Sequence, residues 1–273
     1  MSANAGRIIS LNNDCPEREM KEREHLGLRN AEDRHWFYAG KREIACHWLN
    51  HLGGKKLLIQ KDARVLDIGC GSGILIRDFQ AMVKWIGGVE VSSIALQNIR
   101  NEALGQIARA SAIELPFADG SFDVVTCFDV IEHLENDAGG IREISRVLKN
   151  GGMVMLNVPA YQWLWSDWDV SVGHFRRYSR RELAALLVRC GFHVYRASYE
   201  NAVGLLPAIL LRKSRQFLGI SGLRMENVIP PFWINYLLNR SYVLAACGLS
   251  GWIPFGLSVW GIAQKPSPEP GTS

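Results

Sequence analysis

The 273-residue chain contains no C-x-x-C pair: its six cysteines, at positions 15, 46, 70, 127, 190 and 247, are scattered. That spacing speaks against a disulfide framework or a zinc site and fits a reducing cytoplasm. Strong charge imbalance is also lacking, and a net charge of +4 is too small to argue for a nucleic-acid partner. The polar N-terminus has no apolar core segment, so no signal peptide is expected. No internal repeat is present. The composition is that of an ordinary globular protein, long enough for one large domain or one domain with a sizeable insertion.

One run lacks charge altogether. From Tyr242 to Ala263 there are 22 uncharged residues, which meets the length test for a membrane span. Pro254 interrupts it, five of its residues are Gly or Pro, and Ser250 and Ser258 fall within it. These features favour a buried helix end, a turn at 252–256 and a last strand through 257–263.

The most informative stretch that is present is Val65-Leu66-Asp67-Ile68-Gly69-Cys70-Gly71-Ser72-Gly73. Val65, Leu66 and Ile68 read as a strand covered on both faces. The glycines let the backbone turn sharply and approach a ligand closely, and the next helix presents its free N–H groups there. The spacing is G-x-G-x-G, and Ile74 stands where the dinucleotide fingerprint G-x-G-x-x-G needs its third glycine. Strands read at 64–69, 85–91, 107–110, 122–128, 153–158 and 192–199; helices read at 73–83, 92–104, 139–148 and 179–190. This alternation predicts a doubly wound, mostly parallel α/β sheet with helices on both faces. Ser179 with Glu182 forms a capping box for the last of these helices, and Gly191 stops it.

Four motifs then stand in register: the glycine loop; Trp85-Ile86-Gly87-Gly88-Val89-Glu90; Leu115-Pro116-Phe117 through Asp129-Val130-Ile131-Glu132-His133; and Leu148-Lys149-Asn150-Gly151-Gly152 through Pro159. Over roughly 60–200 the chain resembles the class I S-adenosylmethionine (SAM)-dependent methyltransferases, in a bacterial subgroup linked to small molecules, glycans and lipids. The resemblance implies a seven-stranded Rossmann-like sheet with an antiparallel last strand. It implies SAM as cofactor and a cofactor site at Asp67, Gly69, Cys70, Gly71, Gly73, Glu90, Val91, Ser111, Ala112 and Asp129. Glu90 would take the ribose hydroxyls. Asp67 would order the loop and face the methionine amino end. Val91 and Ile113 would sandwich the adenine or serve as ordinary core. Ser111 departs from the pattern, because many members carry Asp there to accept from the adenine amino group; a weaker or water-bridged contact is expected.

For the acceptor side, the run from Trp163 to Tyr178 follows the fifth strand, where the family builds its pocket. His174 is the candidate base, oriented by Asp169 or Asp167, with Arg176 or Arg177 holding an anionic part of the acceptor; the alternative is that His174 and the arginines tie this loop to neighbouring carboxylates. The Gly-His-x-Arg-Arg-Tyr run ends in Tyr178. His133 is read as a proton acceptor, a metal ligand or a structural histidine, and no metal is assigned. Trp36 and Tyr38 are read as a lid, and Trp163, Trp165 and Trp168 as pocket wall; packing roles stay open for all five. The expected organisation is a helical N-terminal segment (1–52), a SAM-binding core (53–199), a helical insertion (200–250), a last strand (251–264) and a disordered tail (265–273). Residues 1–13 read as a loose terminus and 14–29 as a charged surface helix or disorder. The insertion, with Arg212, Lys213 and Arg215, is a lid, a homodimer face or a peripheral membrane contact. The expected reaction is methyl transfer to a small-molecule, lipid-linked or glycan-precursor acceptor at oxygen, in the cytoplasm or at a membrane. N- or C-methyl transfer and a silent SAM-binding interaction module are the alternatives. No nucleic-acid acceptor is expected, since no Asn-Pro-Pro-Tyr motif or basic stripe is present.

Overall fold

The computed structural model describes residues 9–10, 31–51, 62–99, 107–218, 229–248 and 253–267. The readings for 14–29, for the turn at Trp252 and for residues 268–273 of the tail lie outside these. Strands are β1 (Ile9–Ser10), β2 (Arg64–Ile68), β3 (Trp85–Glu90), β4 (Ile107–Arg109), β5 (Phe122–Phe128), β6 (Leu148–Pro159), β7 (His193–Glu200) and β8 (Ser258–Gln264). Helices are α1 (Trp36–His51), α2 (Ile74–Phe79), α3 (Ser93–Gln97), α4 (Asp137–Val147), α5 (Asp167–Val172), α6 (Arg180–Arg189), α7 (Ala202–Leu218) and α8 (Phe232–Gly248).

The sheet order is β1-β4-β3-β2-β5-β6-β8-β7. Pairs from β1 to β6 are parallel, while β8 runs antiparallel to both β6 and β7. Seven of these strands match the expected sheet. The eighth, Ile9–Ser10, pairs in parallel with Ala108–Arg109 in the stretch read as a loose terminus.

The apolar runs form central strands because both faces are covered. Along β6, Val154, Leu156 and Val158 enter one buried cluster and Met153 and Met155 the other. The first cluster is closed by Ile141, Ile144 and Val147 of α4 and Leu183, Leu186 and Leu187 of α6. The second is closed by Ile44, Ala45 and Leu49 of α1, Leu75, Ile76 and Phe79 of α2, and Tyr242 and Ala246 of α8. At Gly261 a Cβ would lie 3.0 Å from Leu183 Cδ2, so α6 packs directly on the backbone of β8. The order reverses between β2 and β5, and this switch point is where such sheets bind ligands.

The insertion packs on the N-terminal helix. Asn235 accepts from the Trp36 backbone N–H at 2.9 Å and donates to the Arg34 carbonyl at 2.6 Å. The uncharged stretch from Tyr242 divides as expected into a helix end and a strand, with β8 starting at Ser258. Among the described residues, no helix is long and apolar enough to cross a membrane. The helix expected at 73–83 is shorter, Ile74–Phe79; of that expected at 92–104 the structure shows Ser93–Gln97, and 100–104 lie outside the described residues. β6 is longer, because Leu148 already pairs with Phe122 before the register shift that Gly151 (φ 78°) permits.

Beneath α8, the Glu200 carboxyl is buried and accepts from the Tyr242 hydroxyl at 3.2 Å. Burial pushes it up from 4.5 to about 8. The folded state therefore holds a proton that the unfolded chain releases, and stability falls as pH rises through this window. Glu200→Gln, whose amide oxygen still accepts from Tyr242, is expected to leave Tm unchanged near pH 4.5 and raise it by about 5 °C above pH 8. Scanning calorimetry at the two pH values checks this, and equal shifts at both would contradict it.

Candidate active site

After β2 the chain turns at Gly69 (φ 70°), Gly71 (φ 53°) and Gly73 (φ 78°), a backbone path that L side chains resist. Gly69 and Cys70 both donate to the Val89 carbonyl, at 2.9 and 3.1 Å. Gly71 N–H donates to Glu90 Oε2 at 2.9 Å, and Ser92 N–H donates to Oε1 at 2.9 Å. Glu90 at the end of β3 thus ties the loop after β2 to the turn before α3. Close packing leaves no room for a side chain at Gly69, where a Cβ would lie 2.3 Å from Val130 Cγ2. Cys70 is buried beneath Gly88, and burial raises its thiol well above the ordinary value, so it is a packing residue rather than a nucleophile.

Acidic side chains collect along this edge. Asp67 is buried and accepts from the Thr126 hydroxyl at 2.7 Å, across the β2–β5 switch point. Burial raises it to about 7, with Thr126 opposing and the charges of Glu90 and Glu32 adding to the rise. Asp129, in the left-handed region at φ 53°, forms an ion pair with Lys41 of α1. Glu132 is fully buried in a 3-10 turn (Ile131–His133), and neither carboxylate oxygen has a hydrogen-bond partner. Burial, then the charge of Asp129, lifts its carboxyl well above the usual range.

The N-terminal segment closes over the loop through residues that the sequence reading passed over. Glu32 accepts from the Ser72 hydroxyl, and Arg42 donates to the Glu32 carbonyl and, at 2.8 Å, to Asp78. Trp36 and Tyr38, read as a lid, pack among their neighbours: Trp36 edges onto Tyr242 with centroids 5.9 Å apart, and Tyr38 lies against His35 and Phe37. Lys41 of α1 reaches the end of β5, where it meets Asp129. On the adenine side, Ser111 accepts from Ile113 N–H at 3.2 Å and Ala112 is buried. Val91, half-buried, accepts Arg109 Nε at 3.1 Å on its carbonyl.

The loop after β6 carries the second constellation. Its short helix α5 has a capping box in which Ser166 N–H donates to Asp169 Oδ2 at 2.8 Å. Asp169 Oδ1 lies 2.8 Å from His174 Nδ1, so Asp169 and not the exposed Asp167 orients the imidazole. Burial would raise Asp169, but the His174 hydrogen bond and the Arg177 guanidinium outweigh it and hold the carboxyl well below its usual range. Arg177 ties the loop to a neighbouring carboxylate. It is buried, donates to both Asp169 oxygens at 2.7 and 3.0 Å, and reaches the Ala160 carbonyl at 3.1 Å. Tyr178 is buried too, its hydroxyl donating to Asp137 at 2.9 Å, which ties this loop to α4. Arg176 pairs with Asp137 at 3.0 Å and donates to the Glu135 carbonyl at 2.7 Å. Trp163 is 63 % exposed, while Trp165 and Trp168 are half-buried.

His174 Nε2 faces Glu132 Oε1 at 3.9 Å, and its ring meets His133 edge-on with centroids 4.7 Å apart. Glu132, His133 and His174 offer ligand atoms that all lie within 4.8 Å of one another, a set that could hold a metal ion.

The family model for a methyltransferase domain matches residues 66–156, the segment from β2 to β6. A Mycobacterium tuberculosis protein named as a SAM-dependent methyltransferase is 32 % identical over 131 residues, 47 % of this chain and 48 % of its own length. An Encephalitozoon cuniculi protein named as a methyltransferase is 33 % identical over 155 residues, 54 % of this chain and 67 % of its own. Other curated relatives are named ubiquinone biosynthesis O-methyltransferases. The chain spans about half the length of most of the curated relatives it matches. Among solved structures, the Haloferax volcanii complex of a methyltransferase activator with its methyltransferase superposes with TM-score 0.58 at 19 % identity, covering 92 % of this chain and 98 % of that one. The chain belongs to the class I SAM-dependent methyltransferases. Its cofactor is SAM.

The residues present fit that group. A carboxylate offers about four lone-pair sites, enough for backbone donors and a vicinal diol together, so Glu90 suits a ribose. The side-chain-free turn at Gly69 and Gly71 admits close backbone approach, and the acidic edge suits the positive charges of a sulfonium and an ammonium.

A cation beside Asp67 favours its ionised form, so SAM binding is expected to expel a proton below pH 7 and to tighten as pH rises through about 7. Calorimetry in buffers of different ionisation enthalpy measures this. Asp67→Asn should remove the proton release; an unchanged pH dependence in that variant would contradict the assignment.

Proposed function

We propose that the protein transfers the methyl group of SAM to an oxygen of a small-molecule, lipid-linked or glycan-precursor acceptor, with His174 as the base. The observation that carries this reading is the buried Asp169–His174 pair at 2.8 Å on the loop after β6. An ionised Asp169 needs a proton on Nδ1 to complete that bond, which leaves Nε2 as the basic nitrogen. Arg177 and the capping box fix Asp169 in turn, so the ring is held in one orientation.

The bound cofactor supplies a methyl group on a sulfonium whose thioether leaves as a neutral group. The protein's own residues then have three tasks: Glu90 and the glycine loop position the nucleoside, α1 excludes water, and His174 removes the acceptor proton. Oxygen as the acceptor atom is supported by the base, which an amine or carbon acceptor needs less, and by the relatives named O-methyltransferases.

A second reading is favoured by Glu132. A buried carboxylate with no hydrogen-bond partner calls for a proton or a cation, and His133 and His174 complete a three-ligand set beside it. A divalent ion held there would lower the acidity threshold of an acceptor hydroxyl in place of a histidine base.

Methyl-labelled SAM incubated with fractionated cell extract identifies the acceptor. With that acceptor, His174→Ala is expected to lower kcat by about 100-fold or more while leaving S-adenosylhomocysteine affinity within about twofold. Turnover near wild type would overturn the base assignment. Turnover abolished by chelator and restored by a divalent salt would move His174 from base to ligand.

A further inference from the structure

Three carboxylates meet at the glycine loop, and each comes from a different part of the chain. Glu90, at the end of β3, is engaged by the Gly71 and Ser92 N–H groups. Asp67, on β2, leads into the loop and accepts from Thr126. Glu32 comes from outside the sheet, just before α1, where Arg34 N–H and His35 N–H both donate to the Ala31 carbonyl. The methyl-transfer reading gives Glu32 no task.

Several contacts place this residue. Ala31 is buried beside it. Arg42 of α1 donates to the Glu32 carbonyl and, at 2.8 Å, to Asp78 of α2, while Arg77 of α2 lies 3.4 Å from Asp33. The Glu32 carboxylate accepts from the hydroxyl of Ser72, a buried residue of the loop itself. A Cβ on Gly71 would lie 3.4 Å from Glu32 Oε1, so the carboxylate stands against a side-chain-free face of the loop at van der Waals separation. Its charge reaches Asp67, whose carboxyl is raised by burial first and further by the charges of Glu90 and Glu32.

Like charges gathered in one place disfavour one another until a cation joins them. An acidic cluster alone defines no ligand, but this one surrounds the loop of a SAM site, and SAM brings two cationic centres. The sulfonium has no N–H or O–H to donate. The α-ammonium has three N–H donors, which match carboxylates approaching from more than one side. A carboxylate offers about four lone-pair sites, so the Ser72 hydrogen bond does not exhaust Glu32.

We propose that Glu32, together with Asp67, binds the α-ammonium of SAM, so that the N-terminal segment recognises the amino-acid end of the cofactor. The inference rests on SAM as cofactor and is independent of the base and of the acceptor atom.

Titration calorimetry of the full chain tests it with S-adenosylhomocysteine, SAM and 5′-methylthioadenosine, the last of which keeps the nucleoside and lacks the amino-acid end. Glu32→Gln retains an amide oxygen that accepts from Ser72 and loses the charge. This variant is expected to bind S-adenosylhomocysteine and SAM at least about tenfold more weakly than the wild type, and 5′-methylthioadenosine within about twofold of it. Retained 5′-methylthioadenosine binding also shows that the fold and the nucleoside site are intact. Equal loss for all three ligands would make Glu32 a residue that only shapes the loop, and overturns the proposal. So does unchanged S-adenosylhomocysteine affinity, including the case where SAM alone weakens, which would place the carboxylate at the sulfonium. Tighter S-adenosylhomocysteine binding in Glu32→Gln, the mark of an obstructing carboxylate, overturns it too.

Discussion

The site depends on one carboxylate, Glu90, holding two backbone N–H groups from two different loops. β2 and β3 are neighbours in register, with Ile68 opposite Val89, so their ends are fixed by the sheet. The loops beyond those ends are not. Glu90 fixes them by accepting from Gly71 on one side and Ser92 on the other. The positive φ of Gly71 aims its N–H across, and the absent side chain at Gly88 lets Cys70 settle under the loop. Removing the carboxylate would release both loops and leave two donors near the cofactor position without their acceptor.

A second consequence is electrostatic. Asp67, Glu90, Asp129 and Glu132 stand along one edge of the sheet, and the fold meets them with different means. Asp129 has Lys41, Asp67 has the Thr126 hydroxyl and a raised pKa, and Glu132 is buried without a hydrogen-bond partner. Such an edge is costly for the empty protein and favourable for a cationic ligand. The Asp169–His174–Arg177 group beside it shows the opposite arrangement, a buried carboxylate satisfied on all sides and held ionised. Two carboxylates with pKa values driven apart mark different tasks, one edge receiving charge and the other orienting a base.

The parts legible in the sequence are those with local causes. The apolar runs of β2, β5 and β6, the glycine turn and the Ser179–Glu182 capping box each follow from residues a few positions apart. Lys41 was not legible, because its partner Asp129 lies 88 positions away and Arg42 stands beside it with nothing in the sequence to tell the two apart. A Gly-His-x-Arg-Arg-Tyr run does not say which side chains turn inward; the fold buries Arg177 and Tyr178. The choice between Asp167 and Asp169 as partner of His174 required the capping box of α5, which places Asp169 inward and Asp167 outward. The packing of the insertion on α1 was likewise beyond reach, since it rests on Asn235 and Asn239 meeting a backbone about 200 positions earlier.

Titration calorimetry with S-adenosylhomocysteine, on folded wild-type protein and on Glu90→Gln, tests the central claim most directly. The account predicts one saturable site in the wild type and affinity at least about tenfold weaker in the variant. No binding heat from folded wild type, or equal affinity in both proteins, would contradict it.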